Sequence, residues 1–146
     1  MAAIKDLFAG EIVGRRFGER MTTDLVVRAL EQAVATRRSA PGLIHHSDRG
    51  SQYRSHEYQS LLRAGGMNAS MSRKGNCYDN APVESFFGTL KTELVHHWRY
   101  QIRAEAAREI SEYSDLFYSR QRRQVRLGYL SPAAYTQMFT RQQRAA

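Results

Sequence analysis

The apolar residues of this chain switch period along its length, from short strand-like pieces to longer runs at helical spacing. That order of elements limits the fold more than any other feature. Ala2 to Ile4 and Ile12 to Phe17 read as two strands separated by a turn at Ala9-Gly10. Thr22-Thr23-Asp24 starts a helix with Leu25, Val26, Ala29, Leu30, Ala33 and Val34 on one face, and Leu43 to Ser47, after Pro41-Gly42, reads as a short buried strand. Ser55 caps a helix that presents Tyr58, Leu61 and Leu62 and stops at Gly65-Gly66. Met67 to Met71 alternates as a strand, and the polar run Ser72 to Asn80 reads as a loop. Pro82 opens a longer helix that turns Val83, Phe86, Phe87, Leu90 and Leu94 inward. Another helix is expected over residues 103 to 119, with Ile102, Ala106, Ile110, Tyr113 and Phe117 on one side, and Ser131-Pro132 begins a short last one. Strands interleaved with helices in this order predict an α/β domain in which helices cover a mixed sheet.

A length of 146 residues suits one domain, and 42% hydrophobic residues exclude a disordered chain. No apolar run reaches the roughly 18 residues of a membrane span, so no membrane partner is expected. The single cysteine, Cys77, forms no internal disulfide and fits a reducing, cytoplasmic setting. With 22 basic and 14 acidic side chains the net charge is +8, and its distribution is uneven. Residues 1 to 95 hold 13 basic and 10 acidic groups, residues 96 to 146 hold 9 and 4, and no acid follows Asp115. Arg120, Arg122, Arg123 and Arg126 interleave with Tyr118 and Tyr129 in a pattern suited to phosphate contacts and stacking, whereas Tyr129, Leu130, Tyr135, Met138 and Phe139 are equally suited to docking the last helix.

Two carboxylates stand out by position. Asp48 ends the strand in HHSDRGSQY, and Glu84 lies in the first turn of the helix in NAPVESFFGTLK, with 35 residues between them. Strand ends in open α/β sheets are where ligands bind, and Glu84 points away from the Phe86 to Leu90 stripe. Ordinary roles compete with this reading: an Asp-Arg-Gly turn for Asp48 and complementation of the helix dipole for Glu84. Lys91, two turns beyond Glu84 with the small Gly88 between them, tilts the balance, because a metal-holding carboxylate and a phosphate-holding lysine on one strip suit a DNA backbone. Arg73, Lys74 and Asn76, in the loop before Glu84, are further candidates for DNA contact. The histidine pairs His45-His46 and His96-His97 lack metal-ligand spacing and are assigned structural or surface roles, with His46 a possible neighbour of Asp48.

The stretches GLIHHSDRGSQY, SMSRKGNCYDNAPVESFFGTLKTEL and RRQVRLGYLSP resemble the integrase core of bacterial transposases of insertion-sequence family three, relatives of retroviral integrases, over nearly the whole chain. The resemblance implies a ribonuclease-H-like fold in which two aspartates and a glutamate hold Mg²⁺ or Mn²⁺ for DNA end cleavage and strand transfer. Asp48 matches the second aspartate, Glu84 the glutamate, and Lys91 the basic residue after it, a positioner of terminal DNA phosphates. Asp6 matches a position outside the triad, so the resemblance implies a core lacking its first strand, most of its second and the first catalytic aspartate, and inactive by itself. Residues 1–100 are then expected to be a partial catalytic core and residues 101–146 an arginine-rich helical extension of the same domain. The family pattern also has histidine where Gln124 stands.

Its implied partners are DNA, both transposon ends and target, and further copies of the same protein. Recognition of specific ends is assigned to an upstream helix-turn-helix, so this stretch is expected to bind DNA without sequence preference. The alternative is a non-enzymatic nucleic-acid-binding remnant, which the same arginines would support.

Overall fold

The computed structural model describes residues 1–37, 40–73 and 77–145. Its strands are β1 (Ala2–Lys5), β2 (Ile12–Arg16), β3 (Ile44–Ser47) and β4 (Asn68–Met71), and its helices α1 (Thr23–Thr36), α2 (His56–Ala64), α3 (Ala81–Glu93), α4 (Arg103–Glu112) and α5 (Pro132–Ala145). The strands pair as two two-stranded sheets, β1 with β2 and β3 with β4. The connection through residues 6–11 is too short for a crossover, so β1 and β2 form a hairpin. β3 and β4 are parallel and are joined through α2.

Two compact units partition the chain, one of residues 1–4 and 13–86, the other of residues 5–12 and 87–146. They part within α3.

The core of the first unit contains Ala2, Leu25, Val26, Val27, Ala29, Leu30, Tyr58, Leu62 and Met67. α1 starts where Thr22 Oγ1 accepts the Leu25 N–H at 3.3 Å, and α2 where Ser55 Oγ accepts that of Tyr58 at 3.3 Å, as the capping residues predict. The approach of α1 to β2 is set by Gly14, since a Cβ there would sit 2.1 Å from the Ala29 carbonyl oxygen and 2.9 Å from Ala33 Cβ. Gln32 of α1 accepts the Arg15 N–H at 2.9 Å, which satisfies a strand-edge donor from the helix.

The expectation that β3 is buried fails. Ile44 is 69% exposed and Leu43 46% exposed. Alternation explains this, because His45 turns toward α2 and packs, its ring tilted, against Tyr58 while Ile44 and His46 occupy the opposite, open face of a sheet only two strands wide. Tyr58 is 1% exposed, and its hydroxyl lies 2.8 Å from His45 Nε2. Burial, with a smaller contribution from His46, lowers the His45 pKa to about 4.

In the second unit α4 runs on into a π-wound stretch, Tyr113–Gln121. The wider winding changes which residues turn inward. Tyr113 and Tyr118 are buried, whereas Phe117 and Ile102, expected on the apolar face, are 42% and 63% exposed. α5 is longer than expected, at 14 residues. Tyr135 and Phe139 pack on Phe8, with ring centroids 5.3 and 4.7 Å away, but Tyr129 does not dock it, being 64% exposed with φ +63°.

Two stability predictions arise from this packing. Gly14→Ala should destabilise by about 3 kcal/mol in urea denaturation, because a methyl group meets backbone that cannot retreat. Gly88→Ala, in an exposed helical position with open space around the added Cβ, should instead stabilise by about 0.5–1 kcal/mol. A further prediction concerns pH. Unfolded chains protonate His45 below its ordinary 6.5, but the folded one does so only near 4, so stability present above 6.5 is lost as the pH falls through that window. The loss should be on the order of 2–3 kcal/mol between about pH 7 and pH 4, and His45→Gln should flatten that part of the profile.

Candidate functional site

The ladder of β3 and β4 pairs Ile44 with Asn68, His45 with Ala69, His46 with Ser70 and Ser47 with Met71, so both strands end level. Asp48 follows one strand and Ser72 the other. The next rung is the Ser72 N–H donating to the Ser47 carbonyl at 2.9 Å. Asp48 is exposed, and its Oδ1 accepts the Gly50 N–H at 2.7 Å, so the Asp-Arg-Gly turn of the sequence reading does form. A Cβ on residue 50 would lie 2.9 Å from that oxygen. Burial first, and the charge of Asp48 second, raise the Tyr53 pKa above its ordinary value.

Glu84 occupies the first turn of α3 and is exposed, where its charge complements the helix N-terminus. It makes no hydrogen bond or ion pair among the described residues. Between Asp48 and α3 lies Ser72, 5% exposed. Its hydroxyl donates to Asn80 Oδ1 at 2.8 Å, and His46 Nε2 lies 3.2 Å from the same hydroxyl oxygen. Its carbonyl accepts from Arg49 Nε at 2.7 Å. The residues on either side of Asp48 are therefore both tied to Ser72, and Ser72 is tied to the residue that precedes α3.

Arg73 continues this neck. Its backbone N–H donates to Asp79 Oδ2 at 2.9 Å, and its guanidinium pairs with Asp79 at 3.3 Å. This pairing holds the Asp79 carboxyl below the usual carboxylate range. Lys74 and Asn76 lie outside the described residues. In the sequence the run from Ser72 to Asn80 reads as one polar loop with Asp79 and Asn80 available for capping, and the bond from Ser72 to Asn80 has no signal beyond a serine directly after an alternating strand. His46 reaches Ser70 and Ser72 rather than a metal-like cluster.

The second unit holds the remaining candidates. Lys91 is exposed in the last turn of α3. Arg120 and Arg123 are exposed, while Arg122 and Arg126 have structural tasks that the sequence did not signal. Arg122 Nε donates to Glu93 at 2.8 Å, with the guanidinium over the Tyr118 ring, and the Tyr113 hydroxyl donates to the same carboxylate at 2.5 Å. Arg126 donates to the carbonyls of Leu7 and Phe8 at 3.1 and 3.4 Å.

Whether these groups form a metal centre is decided by their donor set. Among the described residues no three His, Cys, Asp or Glu side chains converge so as to hold a metal ion. Two exposed carboxylates do not by themselves satisfy an ion that demands near-octahedral oxygen coordination.

Two family models, both described as the integrase core domain, match residues 1–77 and 84–139, so Asp48 falls in the first match and Glu84 opens the second. The chain is 52% identical over 139 residues to the insertion element IS600 uncharacterized 31 kDa protein of Shigella sonnei, covering 95% of this chain and 51% of that protein. It is 47% identical over 127 residues to the transposase for insertion sequence element IS904 of Lactococcus lactis subsp. lactis (strain IL1403), covering 87% and 50%. With the transposase InsF for insertion sequence IS3A of Escherichia coli (strain K12) the identity is 38% over 135 residues, covering 92% and 47%. The chain thus spans about half the length of the curated relatives it matches. A cryo-EM structure of the simian T-cell lymphotropic virus intasome in complex with PP2A regulatory subunit B56 gamma shares the fold, with a TM-score of 0.62 and 20% identity over 78% of this chain and 41% of that one. The mixed α/β architecture and the two family matches agree: the chain belongs to the integrase core family.

Proposed function

We propose that residues 1–146 are part of the catalytic core of a bacterial transposase that cleaves transposon ends and transfers them to target DNA, in the cytoplasm and as a multimer. The observation that supports this best is local. Asp48, at the end of β3, and Glu84, at the start of α3, are exposed carboxylates whose flanking backbone is joined through the buried Ser72, inside a chain that two integrase core models match.

In this reading Asp48 and Glu84 are the chain's two ligands for Mg²⁺ or Mn²⁺, which would activate the attacking oxygen at phosphorus. The described residues bring no third carboxylate to them, so residues 1–146 alone are proposed to be inactive. What the chain itself supplies is grip and orientation. Lys91, Arg120 and Arg123 are exposed cations for phosphate. Lys74 and Asn76 are proposed for the same role, whereas Arg73, Arg122 and Arg126 contribute by shaping the surface through their intramolecular bonds.

Two measurements test the proposal. Fluorescence anisotropy with a duplex should give binding that weakens as salt rises and does not depend on sequence. Arg120→Ala with Arg123→Ala should then lower the slope of log K against log salt by up to about 2. An unchanged slope would remove these arginines from the interface. Incubation of residues 1–146 with a labelled transposon end and Mg²⁺ or Mn²⁺ should leave the DNA intact. Cleavage that Glu84→Gln abolishes would show that the two carboxylates suffice, whereas a complete protein that binds DNA and cleaves none would favour the non-enzymatic reading.

A further inference from the structure

The segment between β4 and α3 is closed at its neck by two adjacent rungs of different character. The inner rung is Ser72 to Asn80, 2.8 Å long and built on a serine that is 5% exposed. The outer rung is Arg73 to Asp79, where the arginine side chain is 77% exposed and the shortest contact, 2.9 Å, comes from its backbone N–H. The Arg73 side chain stands in solvent, where its ion pair contributes little, while the Asp79 side chain is 20% exposed and also holds the Arg73 backbone N–H. The inner rung is built on the more buried residue.

Ser72 is bonded in three directions. Its N–H and carbonyl hold Ser47 and Arg49, the two neighbours of Asp48, and its hydroxyl alone reaches Asn80, the last residue before α3 and four positions ahead of Glu84. A hydroxyl has one proton to give. The 2.8 Å geometry assigns it to Asn80, while the Ser47 carbonyl at 3.3 Å is the weaker acceptor and His46 Nε2 at 3.2 Å supplies a donor to the lone pairs. Of the three bonds of Ser72, the hydroxyl's is the one that runs toward the helix, beside the Arg73–Asp79 rung. The backbone bonds would survive its loss.

We propose that Ser72 and Asn80 form a positioning pair that, through one hydroxyl-to-amide hydrogen bond built on a buried serine, narrows the position of Glu84 relative to Asp48. The pair touches neither DNA nor metal and acts through the start of α3. The assignment of a role in DNA cleavage rests on the function proposed above; the geometric claim does not.

The test uses the full chain with spin labels on Ser51→Cys and Glu84→Cys in a Cys77→Ser background, and reads the distance distribution between them by pulsed electron paramagnetic resonance. The parent should give one narrow distribution. Ser72→Ala and Asn80→Leu should each lose it, the double variant should be no broader than either single one, and Asn80→Asp, which keeps an acceptor oxygen for the serine proton, should restore it. A thermal melt on each variant separates this from unfolding, since a purely structural role would lower the melting temperature without broadening the distance at temperatures where the chain is folded. A distribution in Ser72→Ala that superposes on the parent overturns the proposal. Failure of the functional reading looks different: a complete transposase that still cleaves with Asp48→Asn or Glu84→Gln would refute the catalytic role and leave the distance results standing.

Discussion

The level ending of β3 and β4 is the constraint on which the candidate site depends. Parallel strands need a crossover, and α2 provides it within the span from Ser47 to Asn68, so the length of that helix decides where β4 begins. Because the register pairs Ser47 with Met71, the residues just beyond, Asp48 and Ser72, leave the sheet side by side. A slip of one residue would send Ser72 to the opposite face and separate it from both neighbours of Asp48. The chain has few means of correcting such a slip, since this sheet has two strands and one covered face. Burial of Tyr58 and Leu62 on one side, and the tie from Tyr58 to His45, hold the register.

Much of this was legible in the amino-acid order, and what was not has physical causes. Helices α1 and α2 could be placed from their caps and apolar stripes, because Thr22 and Ser55 satisfy N–H groups that have no other partner and leave a local signature. Asp48 and Glu84 could be singled out because strand ends and helix starts are where charged groups are functionally useful. Burial of β3 could not be judged, since GLIHHS reads the same whether one or two faces are covered, and tertiary context alone decides. The tasks of Arg122 and Arg126 were hidden for a related reason. Their partners, Glu93 and the carbonyls of Leu7 and Phe8, are distant in sequence, and a run of arginines looks like a solvated or phosphate-facing surface until those partners are located.

The four arginines between residues 120 and 126 thus divide into two groups. Arg122, its guanidinium between Glu93 and the Tyr118 ring, and Arg126, at the carbonyls of Leu7 and Phe8, are fixed by planar, directional bonding for which lysine is a poor substitute. Arg120 and Arg123 stand exposed beside them. The structural pair also contributes positive charge close to Lys5, lowering its pKa after the larger effect of burial, so the unit keeps a basic character even where its cations are engaged.

The π-wound stretch gives the second unit a phase that α-helical winding would not. Arg122 N–H reaches back five residues to Phe117, and the Ser119 hydroxyl reaches the Ser114 carbonyl, so the wider turns are bonded rather than merely loosened. Shortening this stretch by one residue would return it toward ordinary winding and rotate everything beyond by about 100°. Tyr118 would leave the interior, and the exposed arginines would face another quarter of the molecule. The extra residue per turn thus works as an angular setting, fixing the direction in which the positive charge of the tail is broadcast.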